Sequence, residues 1–104
     1  MGEQFAIEEA GMAVRVVVQF EADSVERAEQ RCKELTERAK TVVTEPGNLQ
    51  FEVFRSVSRP DKWALIELWE SQAVLDERNK ARGGVPPAPE GVKRTIEHYD
   101  HHVG

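Results

Sequence analysis

Three polar residues near the end of the chain follow the pattern His-x-Asp-x-His, namely His98, Asp100 and His102. In an extended strand this spacing puts all three on one face, because successive side chains point to opposite sides. Converging imidazole and carboxylate groups can bind a divalent metal, which is one hypothesis. We favour a polar edge strand without a metal. His98 alone is a candidate proton acceptor near neutral pH.

Charged residues also interrupt segments that otherwise alternate like β-strands. Arg15, Arg55 and Arg94 lie in such segments. An arginine in a cleft can stabilise a developing phenolate or peroxide anion, and the alternative is an ion pair at a surface or dimer interface. Glu67 lies among apolar residues and needs a partner if it is buried. We expect it to pair with one of these arginines, and Arg94, Glu67 and Arg15 are the candidate substrate-binding residues.

Composition restricts the kind of partner. The chain has 104 residues, a formal net charge of -5 and a pI near 5.2. These values argue against a general nucleic-acid binder, which needs a basic face. No apolar run approaches the ~20 residues of a membrane span. The single cysteine, Cys32, cannot form an internal disulfide, which indicates a reducing, cytoplasmic location and a packing role on a helix.

The chain is expected to form one domain preceded by a short arm. Residues 1–11 are acidic and lack the basic and apolar regions of a secretory signal, so we expect a flexible arm there. Residues 12–104 then form a single domain. The segment from Gly83 to Gly91, with its glycine pair and three prolines, is expected to be a long loop. It can act as a lid or reach a partner subunit.

Apolar periodicity predicts six elements. Period-two alternation indicates strands, and apolar spacings of three and four indicate helices. Ser24 and Ser71 are suited to cap the two helices. In chain order the predicted elements are a strand, a helix, two strands, a helix and a strand, at residues 12–20, 24–43, 49–58, 63–69, 72–82 and 92–101.

This order predicts an α+β, ferredoxin-like βαββαβ fold with a four-stranded antiparallel sheet. In that topology the first and third strands are central, and these two strands are apolar on both faces. Two helices cover only one face of such a sheet. The other face, with residues such as Ile66 and Leu68, is expected to bind a second copy of the chain in a homodimer.

Three segments carry a resemblance to a known family. They are EPGNL at residues 45–49, FEVFR at 51–55 and IELWES at 66–71. Together they resemble the antibiotic biosynthesis monooxygenase-like domains of the dimeric α/β-barrel superfamily, over most of the chain from Val14 to Tyr99. The resemblance implies a homodimer whose sheets face each other, with a ligand cleft between sheet and helices in each subunit.

The family resemblance also implies roles for two residues. Trp69, at a strand-to-helix junction, resembles a tryptophan that lines the cleft in monooxygenase and haem-degrading members. An indole there can stack on a flat aromatic and donate its N–H. Asn79 stands about where haem-degrading and several quinol-oxidising members carry a histidine. An amide can bind a phenol oxygen but is a poor iron ligand, so the haem-degrading role is disfavoured.

These features lead to two functional hypotheses. The first is a monooxygenase that oxidises a quinol or polycyclic phenol with dioxygen and needs no metal or flavin. Trp69, Asn79 and His98 are its candidate catalytic residues, and a small aromatic substrate and dioxygen are its expected partners. The second is a non-catalytic, dimeric small-ligand-binding or stress-response domain, which the missing histidine at position 79 favours. An isomerase of small carbonyl compounds is a third option.

Overall fold

A computed structural model describes residues 12–102 of the protein. All six predicted elements are present in the predicted order. The arm predicted at residues 1–11 lies outside the described residues. The elements are β1 (Ala13–Ala22), α1 (Val25–Val42), β2 (Asn48–Arg55), β3 (Lys62–Trp69), α2 (Gln72–Ala81) and β4 (Val92–His101).

The four strands form one antiparallel sheet in the order β2-β3-β1-β4. The predicted ferredoxin-like arrangement is therefore confirmed, with β1 and β3 in the centre. Each of these two central strands has a neighbouring strand on both sides, and these are the two strands that are apolar on both faces. β4 is an edge strand and pairs only with β1 over its whole length, from Val92 to His101.

Both helices begin at the serines that the sequence indicated. The hydroxyl groups of Ser24 and Ser71 accept hydrogen bonds from the backbone N–H groups of Arg27 and Val74. This contact satisfies a helix N–H that has no partner within the helix. Neither helix in residues 12–102 has the length and apolar character of a membrane-spanning segment.

The hydrophobic core lies between the helices and one face of the sheet. Cys32 is buried in it, as expected for a packing residue, and burial raises the pKa of its thiol. The apolar spacing of α1 includes Val25, which is nevertheless 43% exposed because it is the first residue of the helix. The core residues on the strands are Val14, Val16, Val18, Phe51, Trp63, Leu65 and Trp69.

The opposite face of the sheet is not covered by any element of residues 12–102. Val17, Ile66 and Leu68 are half-buried there by their neighbours on the sheet. Phe54 and Tyr99 lie on the same face and are 48% and 52% exposed. This surface, called the open face below, is apolar at its centre.

A bulge changes the predicted pattern of β2. The pairing of β2 with β3 shifts register between Asn48 and Gln50. Leu49 is the extra residue, and it is 56% exposed instead of sharing the buried face with Phe51. Val57 is also fully exposed, because β2 ends at Arg55 and Val57 belongs to the turn. The alternation in residues 49–58 predicts one shared face for Leu49, Phe51 and Val57, but in the structure only Phe51 of these three is buried.

Gly47, in the turn between α1 and β2, packs against the junction of β3 and α2. Its φ of +85° belongs to the left-handed region that favours glycine. A Cβ at this position would overlap the side chain of Val74 at the start of α2. The Gly47 carbonyl also accepts a hydrogen bond of 2.9 Å from the Glu70 N–H. Only glycine lets the turn after α1 pack this closely against the junction of β3 and α2.

Candidate active site

A cleft of about 410 Å³ lies between the helices and the sheet. Its size falls within the range of small-molecule sites. The floor comes from β1, β3 and β4, one wall from the two helices, and the opening is bordered by the loop between α2 and β4. Val85, Pro86, Pro87 and Pro89 of that loop line the cleft. The loop thus lines the cleft formed by the helices and sheet of the same chain.

Strand register arranges the floor in three rows. In the first row Glu67 of β3 and His98 of β4 flank Val16 of β1. In the second, Leu65 and Ile96 flank Val18. The middle of the floor is therefore apolar, and its polar groups are at the two ends.

The third row consists of Trp63, Phe20 and Arg94. Phe20 lies four residues beyond Val16, the β1 residue of the first row. At about 3.3 Å per residue it is roughly 13 Å from the Glu67 row. Phe20 and Trp63 stack with ring centroids 4.9 Å apart. The cleft therefore has an aromatic end with one arginine and an acidic end.

Glu67 is the buried ionisable group of the cleft. It is 7% exposed, and Oε1 accepts a hydrogen bond of 2.7 Å from Trp69 Nε1. Burial raises the pKa of the Glu67 carboxyl above its usual range. The Trp69 hydrogen bond and the positive charges of Arg78 and Arg82 offset part of that rise. A carboxylate with a raised pKa is a better proton acceptor at neutral pH than an ordinary one.

The partner of Glu67 differs from the expected one. We expected a strand arginine, but the group that contacts the carboxylate is the indole N–H two residues along the same strand. Residues i and i+2 of a strand point to the same face, which brings Glu67 and Trp69 together. The nearby positive charges come from α2, not from Arg15, Arg55 or Arg94.

Trp69 lies in the core next to the cleft and does not line it. It is completely buried and is not among the residues that line the cleft, so its ring is not available for stacking on a ligand in this conformation. The Arg78 guanidinium lies 5.1 Å from the centre of its ring. Arg78 Nε also donates to Glu45 at 3.1 Å. Glu45, Arg78, Trp69 and Glu67 thus form one connected set, and the contacts of Trp69 are those of a positioning residue.

Asn79, His98 and Arg94 line the cleft, as the sequence-based hypothesis required. Asn79 Oδ1 accepts two hydrogen bonds from the Arg82 guanidinium, at 3.1 and 2.8 Å. Its amide NH₂ group remains able to donate. His98 is exposed at the acidic end, next to Glu67 across β1.

Arg15 lies on the open face of the sheet, away from the cleft. Its side chain donates to Gln50, and it pairs in register with Leu68 and Tyr99. Its assignment as a substrate-binding residue of this cleft was wrong, because odd-numbered residues of β1 point away from the helices. Arg15 is placed to contact whatever covers the open face.

The three polar residues of the His-x-Asp-x-His pattern do not form a cluster with metal-binding geometry. Within residues 12–102 no three His, Cys, Asp or Glu side chains come together in a way that could hold a metal ion. His98 faces the cleft, and Asp100 pairs with Val14 one row further along. His102 lies beyond the last residue of β4.

Several residues of the cleft were missed by the sequence-based reasoning. They lie on the polar faces of the helices, which were interpreted as simply solvated. Their signal in the sequence is weak, since charged residues at helical spacing are common on any exposed helix. These residues are Arg31, Glu34, Arg38, Arg78 and Arg82.

One known protein family is similar to this chain over most of its length. The family model described as "Antibiotic biosynthesis monooxygenase" matches residues 13–83, which include β1 to α2. No curated protein sequence matches the chain significantly.

Solved structures share the fold at low sequence identity. A candidate antibiotic biosynthesis monooxygenase from Deinococcus radiodurans is 16% identical with a TM-score of 0.67, covering 86% of this chain and 94% of that one. The heme-degrader MhuD of Mycobacterium tuberculosis, with two hemes bound in its active site, is 19% identical with a TM-score of 0.64, covering 88% and 97%. Protein SO0527 from Shewanella oneidensis is 15% identical with a TM-score of 0.68, covering 88% and 92%. Since the family model matches well over half of the residues, the chain belongs to the antibiotic biosynthesis monooxygenase family.

Proposed function

We propose that this protein is a cofactor-independent monooxygenase that oxidises a quinol or polycyclic phenol with dioxygen. The observation that carries the proposal is Glu67, a carboxylate in the floor of an apolar cleft. It is held by an indole N–H and has a raised pKa. Such a group is suited to remove a phenolic proton at neutral pH, because its pKa lies closer to the working pH.

The chemistry needs little beyond a base and a dry, positively charged site. Glu67 takes the phenolic proton through the carboxylate oxygen that Trp69 does not contact, and His98 is the second candidate for this role. The electron-rich anion passes an electron to dioxygen, and the two radicals combine at a ring carbon. The product of this combination is a hydroperoxide on a ring carbon that still bears hydrogen. Loss of water from it breaks the O–O and C–H bonds and leaves a carbonyl on that carbon, so the substrate becomes a quinone and supplies all four electrons. The Asn79 amide and Arg82 stabilise the intermediate anions.

The active form in this proposal is a homodimer joined through the open face. Ile66 and Leu68 lie in the centre of that face, and Phe54 and Tyr99 extend it towards the two sheet edges. An apolar sheet face of this kind is normally covered, and a two-fold related copy presents the same surface. The cytoplasmic location expected from the single cysteine remains a prediction.

Oxygen consumption by metal-free protein tests the proposal. The protein is treated with a chelator and assayed with a panel of quinols and polycyclic phenols. We expect uptake that scales with protein concentration and falls about a hundredfold or more in Glu67→Gln, the usual effect of losing a general base. Glu34→Gln is the matched control, because Glu34 also lines the cleft but is already paired with Arg31 at 2.9 Å. Unchanged activity in Glu67→Gln would refute the role of Glu67.

A non-catalytic binding domain is the second candidate. The observation that favours it is that two charged groups of the cleft already have partners. Glu67 accepts a hydrogen bond from Trp69, and Arg78 contacts Trp69 and Glu45. No oxygen uptake across the panel, together with saturable binding of the same phenols, would support this alternative and reject the oxygenase.

A further inference from the structure

Three arginines line the end of the cleft that contains Glu67. Arg38 comes from α1, and Arg78 and Arg82 come from α2. They are close enough to affect one another. Partial burial lowers the pKa of Arg82, and the positive charges of Arg78 and Arg38 lower it further, against the opposing effect of Glu67 and Glu45.

Two of these three arginines form no ion pair among residues 12–102. Arg78 is paired with Glu45 at 3.1 Å, but neither Arg38 nor Arg82 has a carboxylate within 4.0 Å in that part of the chain. The contact of Arg82 is with the neutral Asn79, whose oxygen accepts from both Nε and a terminal nitrogen. This double contact fixes the plane of the Arg82 guanidinium and leaves its other terminal nitrogen free to donate.

The charge of the cleft is opposite to that of the protein. The whole chain has a formal net charge of -5. Within the described part of the chain, residues 12–102, the cleft nevertheless is lined by five arginines and two glutamates, one of which is the buried Glu67. A cleft with one sign of charge and low-dielectric walls concentrates the field and attracts ligands of the opposite sign.

We propose that the ligand of this cleft is an aromatic compound that carries an acid group, which binds to Arg38 and Arg82. This inference deepens the proposed function and rests on it for the aromatic part of the ligand. The ring system lies over the apolar floor formed by Val16, Val18 and Leu65. The acid group faces the two arginines, whose planar donors match the geometry of a carboxylate.

The Arg78 guanidinium has a different role in this arrangement. Its side chain is only 13% exposed, it stacks on Trp69, and it is neutralised by Glu45. It therefore serves as a fixed part of the wall that supports Glu67. Of the three arginines at this end of the cleft, Arg38 and Arg82, from the two different helices, are left to bind the ligand, while Arg94 lies at the aromatic end.

Binding of a matched pair of compounds tests this proposal. Naphthoate and its uncharged methyl ester share one ring system and differ in the acid group. Neither is a phenol, so binding is measured by isothermal titration calorimetry without any oxygen chemistry. We expect the wild-type full chain to bind naphthoate about tenfold or more tightly than the ester, the usual value of one charge-assisted hydrogen bond.

Three variants locate the effect. Arg38→Gln and Arg82→Gln should each weaken naphthoate binding about tenfold and leave the ester unchanged. Arg31→Gln is the matched control, because Arg31 lines the same cleft from α1 but is paired with Glu34 at 2.9 Å. We expect this control to change naphthoate binding by less than about threefold. Circular dichroism of each variant checks that the fold is intact.

The outcomes separate this proposal from the oxygenase proposal. Equal binding of naphthoate and ester, no naphthoate binding, or an Arg31→Gln effect as large as that of Arg82→Gln would overturn the acid-group assignment. Oxygen uptake with uncharged phenols, combined with equal binding of naphthoate and its methyl ester, would overturn the acid-group assignment but would still support the oxygenase. Selective naphthoate binding without any oxygen uptake supports the assignment and rejects the oxygenase.

Discussion

Trp69→Phe tests the link between Trp69 and Glu67. The substitution keeps an aromatic ring but removes the N–H that lies 2.7 Å from Glu67 Oε1. Trp69 is completely buried and Glu67 nearly so, which leaves little room for water to replace the lost donor. We expect the variant to be less stable, to a degree that depends on pH, and to lose turnover because Glu67 is no longer held in place.

The magnitude follows from two contributions. The smaller ring leaves a cavity that costs about 1 kcal/mol at any pH. The lost hydrogen bond costs about 1.5–3 kcal/mol when Glu67 is ionised and about 0.5–1.5 kcal/mol when it is protonated. The free energy of unfolding should therefore fall by about 1–2 kcal/mol more at pH 8 than at pH 4, which corresponds to a further rise of about one unit in the pKa of Glu67.

The sign of the pH dependence comes from the raised pKa of Glu67. Between its unfolded pKa of about 4.3 and its higher folded pKa, the folded protein binds more protons than the unfolded chain. Glu67 therefore makes the protein less stable as pH rises through that window. Removing the Trp69 N–H raises the pKa of Glu67 in the folded protein further. The pH range over which Glu67 destabilises the protein then extends to higher pH, and the total loss in the free energy of unfolding is larger.

Urea denaturation at pH 4 and pH 8 measures the effect. Wild type, Trp69→Phe, Glu67→Gln and the double variant are compared at one protein concentration, because a dimer would make stability concentration-dependent. In the Glu67→Gln background the cost of Trp69→Phe should no longer change between the two pH values. An equal loss at pH 4 and pH 8, or a pH-dependent loss that persists without Glu67, would refute the coupling.

Two further predictions concern the fold and the open face. Gly47→Ala should lower stability by about 2–5 kcal/mol, because it adds a clash with Val74 to the cost of a positive φ. Gly83→Ala is its control: Gly83 has a similar φ of +80° but open space around its Cβ position, so thermal denaturation should show a loss of only about 1–2 kcal/mol. Ile66→Asp should convert a dimer to a monomer in sedimentation velocity, and an unchanged sedimentation coefficient would argue against an interface on the open face.

The architecture could be predicted because local patterns and topology agree. Alternation in β1 and β3, apolar spacing in α1, and the serines before each helix all indicated the same βαββαβ order. The bulge at Leu49 could not be predicted, because one inserted residue changes the strand face without changing the composition. Arg15 could have been placed correctly, since it is an odd-numbered residue in a strand whose even-numbered residues are apolar.

The site was predictable only in part. Asn79, His98, Arg94 and Glu67 do line the cleft, but the contact between Glu67 and Trp69 was missed although two residues apart on a strand share a face. The arginines of the helices could not be assigned from sequence. Whether a charged helical residue faces solvent or a cleft depends on how the helix is rotated on the sheet, and that rotation is set by tertiary packing.

The position of β4 at the sheet edge has an evolutionary consequence. The family model matches residues 13–83 and stops before the proline-rich loop and β4, which supply Pro86, Arg94 and His98 to the cleft. That segment is largely exposed and contributes little to the buried core. Substitutions of its exposed side chains should therefore cost less stability than substitutions in β1 or β3, although its backbone pairs with β1 over its whole length. Changes in the loop and in the exposed side chains of β4 can therefore alter what the cleft binds while β1, β3 and the helices stay the same.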